Sequence, residues 1–217
     1  MVRILLYKKI ENMNFSSLLF IVVFLVNVVK NDNVPPNYLI NLNSNWTLSN
    51  KNFNITINNL KLPISVTTAL RKENLIPDPL YRYNDVYLRW IVQDDNWIFT
   101  NNFIIENFAN LNDSTTINII FDTIDTIASV YLNEKFILAG NNQFLKYYAK
   151  GLNSKLNADL NTLVVRFASP INQAKLLAST YPYYVPNNCT PDVQHGECHV
   201  NFLRKEQCSF SWDWGKR

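Results

Sequence analysis

Two tryptophans flank a single carboxylate near the end of the sequence, in the segment SWDWG. On an extended strand, Trp212 and Trp214 would point to one face and Asp213 to the other. Aspartate is depleted in strands, and indole faces pack on the C–H patches of sugars while a carboxylate accepts hydrogen bonds from paired hydroxyls. The segment therefore predicts a sugar contact by Asp213, with Trp212 or Trp214 as a pocket wall. An aromatic core strand with a solvated polar face is the alternative.

Three cysteines, Cys189, Cys198 and Cys208, fall in the same region. In an oxidising compartment a disulfide between Cys189 and Cys198 would close the short loop CTPDVQHGEC and leave Cys208 unpaired or partnered elsewhere. A zinc site with His195 and His199 is the alternative. It is disfavoured because the spacing lacks a CxxC knuckle and oxidising compartments disfavour free thiolates. We therefore predict a disulfide and no metal.

No pair of acidic residues forms a recognisable catalytic constellation, and two histidines leave few candidates for a His-based mechanism. We expect no catalytic residue in this chain and no cofactor.

The first thirty residues read as a secretory signal peptide. Arg3, Lys8 and Lys9 precede an apolar run from Phe15 to Val29 that is broken only by two serines and Asn27, and a polar exit follows. A membrane anchor is the alternative, but the run is shorter than the roughly 20 apolar residues that a spanning helix needs. Small residues that would fix the cleavage site are missing. We expect no membrane association after cleavage.

Four glycosylation sequons agree with export, at Asn45, Asn54, Asn112 and Asn188. Together with the leader they predict a glycosylated protein of the secretory pathway.

The composition is that of a globular protein, with 47% hydrophobic and 17% charged residues. A net charge of +3 without a basic stripe gives no indication of nucleic-acid binding. Glycine occurs only four times. Asparagine, which is abundant, tolerates positive φ and is expected at turns.

Short runs with period-2 alternation dominate from residue 38 onward. They are NWTLS, NFNITIN, DVYLRWIV, TINIIFD, NTLVVRFAS and the two halves of ASVYLNEKFIL around Asn133-Glu134. The segments ISVTTALRKENL and INQAKLLAST are typical of short helices. This pattern predicts an all-β fold, an antiparallel jelly-roll-like β-sandwich formed by one domain over residues 31–217.

The segment YPYYVPNNCTPDVQHGECHVNFLRKEQCSFSWDWG closely resembles the matching stretch of animal lysosomal β-mannosidases of glycoside hydrolase family 2. The block PISVTTALRKENLIPDPLYRYNDVYLRWIVQDDNWIFTNNF and the segments FDTIDTIASVYLNEKFI, NNQFLKYY and FASPINQA follow the same family in the same order. The resemblance covers essentially everything after the leader.

This resemblance implies a galactose-binding-like first domain of a large enzyme that removes terminal β-linked mannose from glycan fragments with retention. Retention needs two carboxylates about 5–5.5 Å apart, and in the family both are glutamates of a barrel domain that this sequence does not reach. The resemblance places Asp213 at the edge of the substrate pocket. Asn84 and Asp85 are weaker sugar-contact candidates, with turn residues as their alternative role.

The implied partner is a β-mannoside glycan, and the implied location is the lysosome or the extracellular space. Two other functions stay open. One is a stand-alone secreted carbohydrate-binding module, and the other is a structural domain that supports a barrel.

Overall fold

Alternating apolar residues build two antiparallel sheets in the computed structural model, which describes residues 1–8, 37–106, 108, 115–183 and 199–206. One sheet contains β1 (Val2–Lys8), β2 (Asn37–Asn41), β6 (Thr115–Phe121) and β9 (Tyr147–Ala149). The other contains β3 (Trp46–Asn50), β4 (Ile55–Leu60), β5 (Trp97–Ile104), β7 (Ala128–Leu132), β8 (Lys135–Gly140) and β10 (Leu160–Phe167). Their spatial orders are β2-β1-β6-β9 and β4-β3-β5-β10-β7-β8. The predicted all-β antiparallel sandwich is confirmed.

The buried side chains of both sheets form one hydrophobic cluster. Leu48, Ile119 and Leu163 are fully buried, and each contributes on the order of 1.5–3 kcal/mol through removal of apolar surface from water. Trp46 is 1% exposed, and its indole N–H donates to the carbonyl of Leu42 at 2.6 Å. The polar end of the largest core side chain is therefore satisfied.

The structure differs from the sequence-based domain boundary at the amino terminus. Val2–Lys8, inside the segment assigned to a signal peptide, forms β1, an inner strand of the four-stranded sheet. Val2, Ile4 and Leu6 alternate as buried residues and join the core. The apolar run Phe15–Val29 lies outside the described residues, so the leader itself stays a prediction. Among the helices that the structure describes, none is long and apolar enough to cross a membrane.

Two predicted helices are confirmed, and their first turns explain where they begin. The Ser65 hydroxyl accepts from the backbone N–H of Thr68 at the start of α1 (Val66–Lys72). The Ser169 hydroxyl does the same for Asn172 at the start of α4 (Pro170–Thr180), and a proline opens that helix.

The predicted strand DVYLRWIV is wrong. This segment forms two single-turn helices, α2 (Asn84–Tyr87) and α3 (Trp90–Gln93). Val86 is exposed, whereas Leu88 is half-buried and Ile91 is buried. The inward positions Leu88 and Ile91 are three residues apart, which is a helical spacing. Over so short a segment, this pattern resembles the alternation of a strand. Phe53 shares a face with Ile55 and Ile57 in the predicted strand NFNITIN, but it lies in the turn before β4 and is 43% exposed.

Asparagine occupies turn positions with positive φ, as expected from its abundance. These are Asn45, Asn54, Asn74 and Asn133, and Asn59, inside β4, also has a positive φ. Asn133 and Glu134, with φ of 47° and 66°, form the two-residue turn of the β7–β8 hairpin at the predicted place. The Asn133 side chain also accepts from the Thr162 N–H at 2.9 Å and donates to Asn161 at 2.8 Å. The turn is thereby joined to the neighbouring strand β10.

Candidate functional site

A polar cavity of about 500 Å³ lies at one end of the sandwich, between the start of α1, the short helices α2 and α3, and the end of β10. Its wall carries hydroxyl, carboxylate and ammonium groups together with apolar side chains. The lining residues are Ser65, Val66, Thr67, Thr68, Pro79, Asp85, Leu88, Ile91, Val92, Asp94, Trp97, Asp125, Thr126, Phe167, Ala168, Pro170, Lys205 and Glu206. This mixture is suited to a polyhydroxylated ligand, because sugars present both hydroxyls and C–H faces.

A second cavity of about 500 Å³ adjoins the first and shares five lining residues with it, namely Ser65, Val66, Thr68, Asp125 and Phe167. Its other walls are mostly apolar and include Trp46, Phe99 and Phe121. It lacks the cluster of charged groups that the first cavity presents, so the polar cavity is the better candidate for a sugar.

Asp94 organises the cavity wall and is already occupied by protein donors. Its carboxylate accepts from the side-chain amides of Asn50 and Asn52 and from the backbone N–H of Asn96, each at 2.7 Å. Partial burial of the Asp94 carboxyl favours its neutral form. The hydrogen bonds from Asn52, Asn50 and Asn96 outweigh burial and hold the pKa of Asp94 below its ordinary value of 3.8. We assign Asp94 a structural part.

Asp85 is the carboxylate that stays available. It is half-buried and lines the cavity. Within the described ranges, no hydrogen bond or ion pair is found for its side chain. Its neighbour Asn84 does not line the cavity, and its amide donates to the carbonyl of Asp78 at 2.7 Å. Of the two weaker candidates from the sequence, Asn84 thus stabilises a turn and Asp85 faces open space.

Lys205 fastens the last described segment to the cavity. Its ammonium forms an ion pair with Asp125, and its side chain is only 13% exposed. The backbone N–H of Gln143 donates to the carbonyl of Arg204 at 2.8 Å, and the N–H of Glu206 donates to the side chain of Gln143 at 3.0 Å. These contacts fix residues 204–206 at the rim, so the chain leaves the described region beside the cavity.

The neighbouring helices are held by a separate set of polar contacts. The Ser169 hydroxyl donates to the carbonyl of Val92 at 2.7 Å, which joins the start of α4 to α3. Asp95 accepts from the Ser169 N–H at 2.6 Å and from the Asn172 amide at 2.7 Å. The part of the wall formed by α3 therefore packs on a capped and hydrogen-bonded helix start.

Most of the sequence-predicted site residues fall outside the described residues. These are Trp212, Asp213, Trp214, Cys189, Cys198, Cys208, His195, Asn112 and Asn188. The sugar contact, the disulfide and the zinc alternative therefore stay predictions. His199 is described, and its ring lies 6.5 Å from that of Phe202. Within the part of the chain that the structure describes, no group of three or more His, Cys, Asp or Glu residues is placed to hold a metal.

Sequence reasoning missed Asp125 and Lys205 as cavity residues. They are eighty residues apart and come together through the fold alone. No motif connects them. The one available indication was that Lys205 lies in the segment with the strongest family resemblance.

A family model described as "Glycosyl hydrolase 2 galactose-binding domain-like" matches residues 46–217. The chain is 40% identical over 185 residues to a β-mannosidase from Rattus norvegicus, covering 83% of this chain and 20% of that protein. It is 35% identical over 184 residues to a probable β-mannosidase from Caenorhabditis elegans, covering 82% and 20%. The crystal structure of a β-D-mannosidase from Dictyoglomus thermophilum superimposes with a TM-score of 0.69 at 29% identity, covering 81% of this chain and 20% of that one.

The chain spans about a fifth of the length of these relatives. The matched residues 46–217 include the six-stranded sheet, strands β6 and β9 of the other sheet, and the residues that line the cavity. The chain therefore belongs to the glycosyl hydrolase 2 galactose-binding domain-like family and corresponds to the amino-terminal part of β-mannosidases.

Proposed function

We propose that this chain is the first, sugar-contacting domain of a retaining β-mannosidase that hydrolyses terminal β-D-mannose residues of glycans, and that it is inactive without the rest of the enzyme. The similarity to β-mannosidases over four-fifths of the chain supports this proposal. The catalytic glutamates would lie in a barrel domain, and this domain would complete the substrate pocket from one side.

The observation that carries the proposal is the path of the chain past the polar cavity. Lys205 and Glu206 line the cavity, and Asp213 follows Glu206 after seven positions. Seven extended residues span at most about 23 Å, at roughly 3.3 Å each. Asp213 is therefore within reach of the cavity rim, where Asp85 already presents a carboxylate. The proposal requires a sugar at the rim to contact both groups.

The test uses a full-length homologue that carries the same SWDWG motif. Replacing the aspartate equivalent to Asp213 by alanine should lower kcat/KM by at least tenfold, because a lost hydrogen bond to a charged group costs about 1.5–3 kcal/mol. An unchanged kcat/KM would remove the proposed sugar contact. An exposed aspartate of the homologue that lies outside the substrate pocket is the matched control.

A stand-alone carbohydrate-binding module is the second candidate, because the described residues alone enclose the polar cavity and Asp85. Calorimetric titration of the isolated chain with methyl β-mannoside distinguishes the two functions. Saturable binding that is lost in Asp85→Asn would favour the module. No heat of binding together with activity of the full-length homologue favours the first domain of an enzyme.

We also propose a partner surface next to the cavity. Leu80, Tyr83 and Tyr87 are each 74% exposed, and Tyr81 and Val86 are exposed beside them. Clustered exposed apolar side chains of this kind are typical of contact surfaces. The remaining four-fifths of the enzyme would cover them.

Export through the secretory pathway to the lysosome, or secretion, is part of the proposal. It is supported by the apolar leader and by the two described sequons, since Asn45 and Asn54 are exposed residues in turns. In that compartment Cys189 and Cys198 would form a disulfide, which contributes about 2–3 kcal/mol when it closes so short a loop without strain.

A further inference from the structure

The position of β1 in the four-stranded sheet is unusual for a segment at the amino terminus, because β1 is flanked on both sides. Five residue pairs join β1 to β2, from Arg3↔Asn41 to Tyr7↔Asn37. Seven pairs join β1 to β6, from Val2↔Phe121 to Lys8↔Thr115. Among the described strands, β2 pairs with β1 alone. Without β1, both β2 and β6 would present unpaired inner edges.

The side chains of β1 match this position in shape and charge. Val2, Ile4 and Leu6 are buried in the core, with Ile4 fully so. Arg3 forms an ion pair with Asp122, which follows β6. The flanking backbone is also engaged, since the Leu42 N–H donates to the carbonyl of Val2 at 2.9 Å. The position therefore selects for apolar residues at alternate positions and for a cation at the second.

The long connection between β1 and β2 contains the predicted leader, so cleavage there would remove β1 from the sheet. Twenty-eight residues separate Lys8 from Asn37, and they include the apolar run Phe15–Val29. Cleavage of a leader after that run would separate β1 from the rest of the domain. The two inner edges and the apolar core beneath them would then be uncovered, and exposed inner edges are templates for strand pairing.

We propose that the place of β1 between β2 and β6 is a strand-acceptor site that takes an extended peptide in trans. The partner is a strand of at least seven residues that runs antiparallel to both neighbours. It carries apolar side chains at its first, third and fifth positions and a cationic side chain at its second, which faces Asp122. The need for such a partner in the exported protein rests on the proposed leader, whereas the ability of the site to accept one does not.

Binding of this kind differs from addition of a strand to a single sheet edge. The incoming strand forms main-chain hydrogen bonds with both β2 and β6, and both sets contribute to affinity. Specificity comes from the alternate side chains that enter the core. An aspartate at the position of Ile4 should abolish binding, because its charged carboxylate would be buried there without a partner.

The experiment uses the full chain with a protease site inserted between Asp32 and Asn33. After cleavage, the released fragment of residues 1–32 is removed by size exclusion in urea and the remaining chain is returned to buffer. A fluorescein-labelled synthetic peptide of residues 1–8, MVRILLYK, is then added and its fluorescence anisotropy is measured. We expect saturable binding at one peptide per chain, at least tenfold tighter than to the uncut chain, in which the tethered strand competes. The Ile4→Asp peptide should bind at least a hundredfold more weakly.

Charge reversal tests the direction and register of the bound strand. The Arg3→Glu peptide should bind at least fivefold more weakly to the cleaved chain, and Asp122→Arg in the chain should restore its affinity. Equal binding of the Ile4→Asp and wild-type peptides would overturn the proposal, as would a cleaved chain that keeps its native circular dichroism and binds no peptide.

Refolding gives a second readout that does not require the cleaved chain to stay folded. The chain without residues 1–36 should recover native circular dichroism from urea with the wild-type peptide and fail to do so with the Ile4→Asp peptide. Equal recovery with either peptide, or with none, would contradict the acceptor site. Mass spectrometry of the exported chain tests the leader separately, so failure of the leader and failure of the acceptor site are distinguishable.

Discussion

Lys205 forms an ion pair with Asp125 across eighty residues of sequence, and the lysine side chain is more buried than that of the aspartate, at 13% against 38% exposed. The pair joins the loop after β6 to the segment that leads towards Asp213. It is a local clamp at the rim of the cavity, and it places the last described residues where a sugar-contacting segment would be needed.

The clamp should have a modest effect on stability. Lys205→Ala should lower the free energy of unfolding by about 1 kcal/mol, because the Asp125 carboxylate remains partly solvated when its partner is lost. For a domain of this size we expect a fall in Tm of about 2–4 °C by differential scanning calorimetry. Lys175→Ala, on the exposed side of α4, is the control and should leave Tm unchanged. A loss for Lys205→Ala no larger than that of the control would show that the pair does not hold this segment.

Asp94 should make the free energy of unfolding decrease as the pH falls into the acidic range. Its folded-state pKa is lowered by the hydrogen bonds from Asn52, Asn50 and Asn96, against the opposing effect of burial. The resulting stabilisation is fully present above the unfolded pKa of about 3.9 and is lost as the pH falls through the lower folded value.

Chemical unfolding between pH 3 and pH 7 measures this effect. The stability difference between the wild type and Asp94→Asn should be constant above about pH 5 and should shrink below about pH 4. Asp159→Asn serves as a control on an exposed carboxylate. A difference that grows on acidification would mean that the sign is wrong.

The purified 217-residue chain should not hydrolyse β-mannosides. A retaining glycosidase needs an acid and a nucleophile about 5–5.5 Å apart, and we expect both on a barrel domain. The assay follows release of nitrophenol from a chromogenic β-mannoside. Turnover above that of an Asp213→Asn sample purified in parallel would reveal a carboxylate pair within this chain.

Asp213 and Trp212 should respond differently to truncation. If the indole packs inward, Trp212→Ala should destabilise the isolated domain by about 3–5 kcal/mol. Asp213→Ala should change stability by less than about 0.5 kcal/mol, because strand alternation places it on the opposite, outer face. Urea unfolding of both variants measures this. A large loss for Asp213→Ala would make it a structural residue.

Two of the glycosylation sites can be tested one at a time. Because Asn45 and Asn54 are exposed in turns, each should carry a glycan when the chain is expressed in insect cells. Asn45→Gln and Asn54→Gln should each increase mobility on a gel by one glycan, and enzymatic deglycosylation should remove the difference. An intracellular product without glycans would contradict export.

The sequence predicted those parts of the fold in which local pattern and environment agree. Leu163 and Val165 alternate inward along β10, and Ser65 and Ser169 provide recognisable helix starts.

Prediction failed at Val86, where a strand-like alternation lies in a connection without sheet neighbours and folds into short helices. Strand β5 was missed because its alternation is interrupted by Asn101, which is buried and donates to the carbonyl of Ser44 at 2.7 Å.

The candidate site was less predictable because it depends on long-range packing. Asp85 could be named from its place in a family-like block, although its half-burial in a cavity could not. Asp125 and Lys205 also lie in family-like segments, but no motif pairs them, since their contact exists only once β6 and the segment 199–206 are in place. The residue types at the rim were visible in the sequence, and their association was not.

The pairing of β1 with β6, a strand far along the chain, affects when β1 can fold during synthesis. Residues 2–8 are synthesised before the strands β2 and β6 with which they pair. Val2 cannot pair with Phe121 until that residue has been synthesised. At about 5–20 residues per second, that interval is on the order of 6–24 s. During this time three apolar side chains have no core to enter, whereas β7 and β8 can pair as soon as their two-residue turn has emerged. Strand β1 is therefore synthesised well before it can fold, and in that interval it is available to any export machinery or chaperone that binds extended apolar peptides.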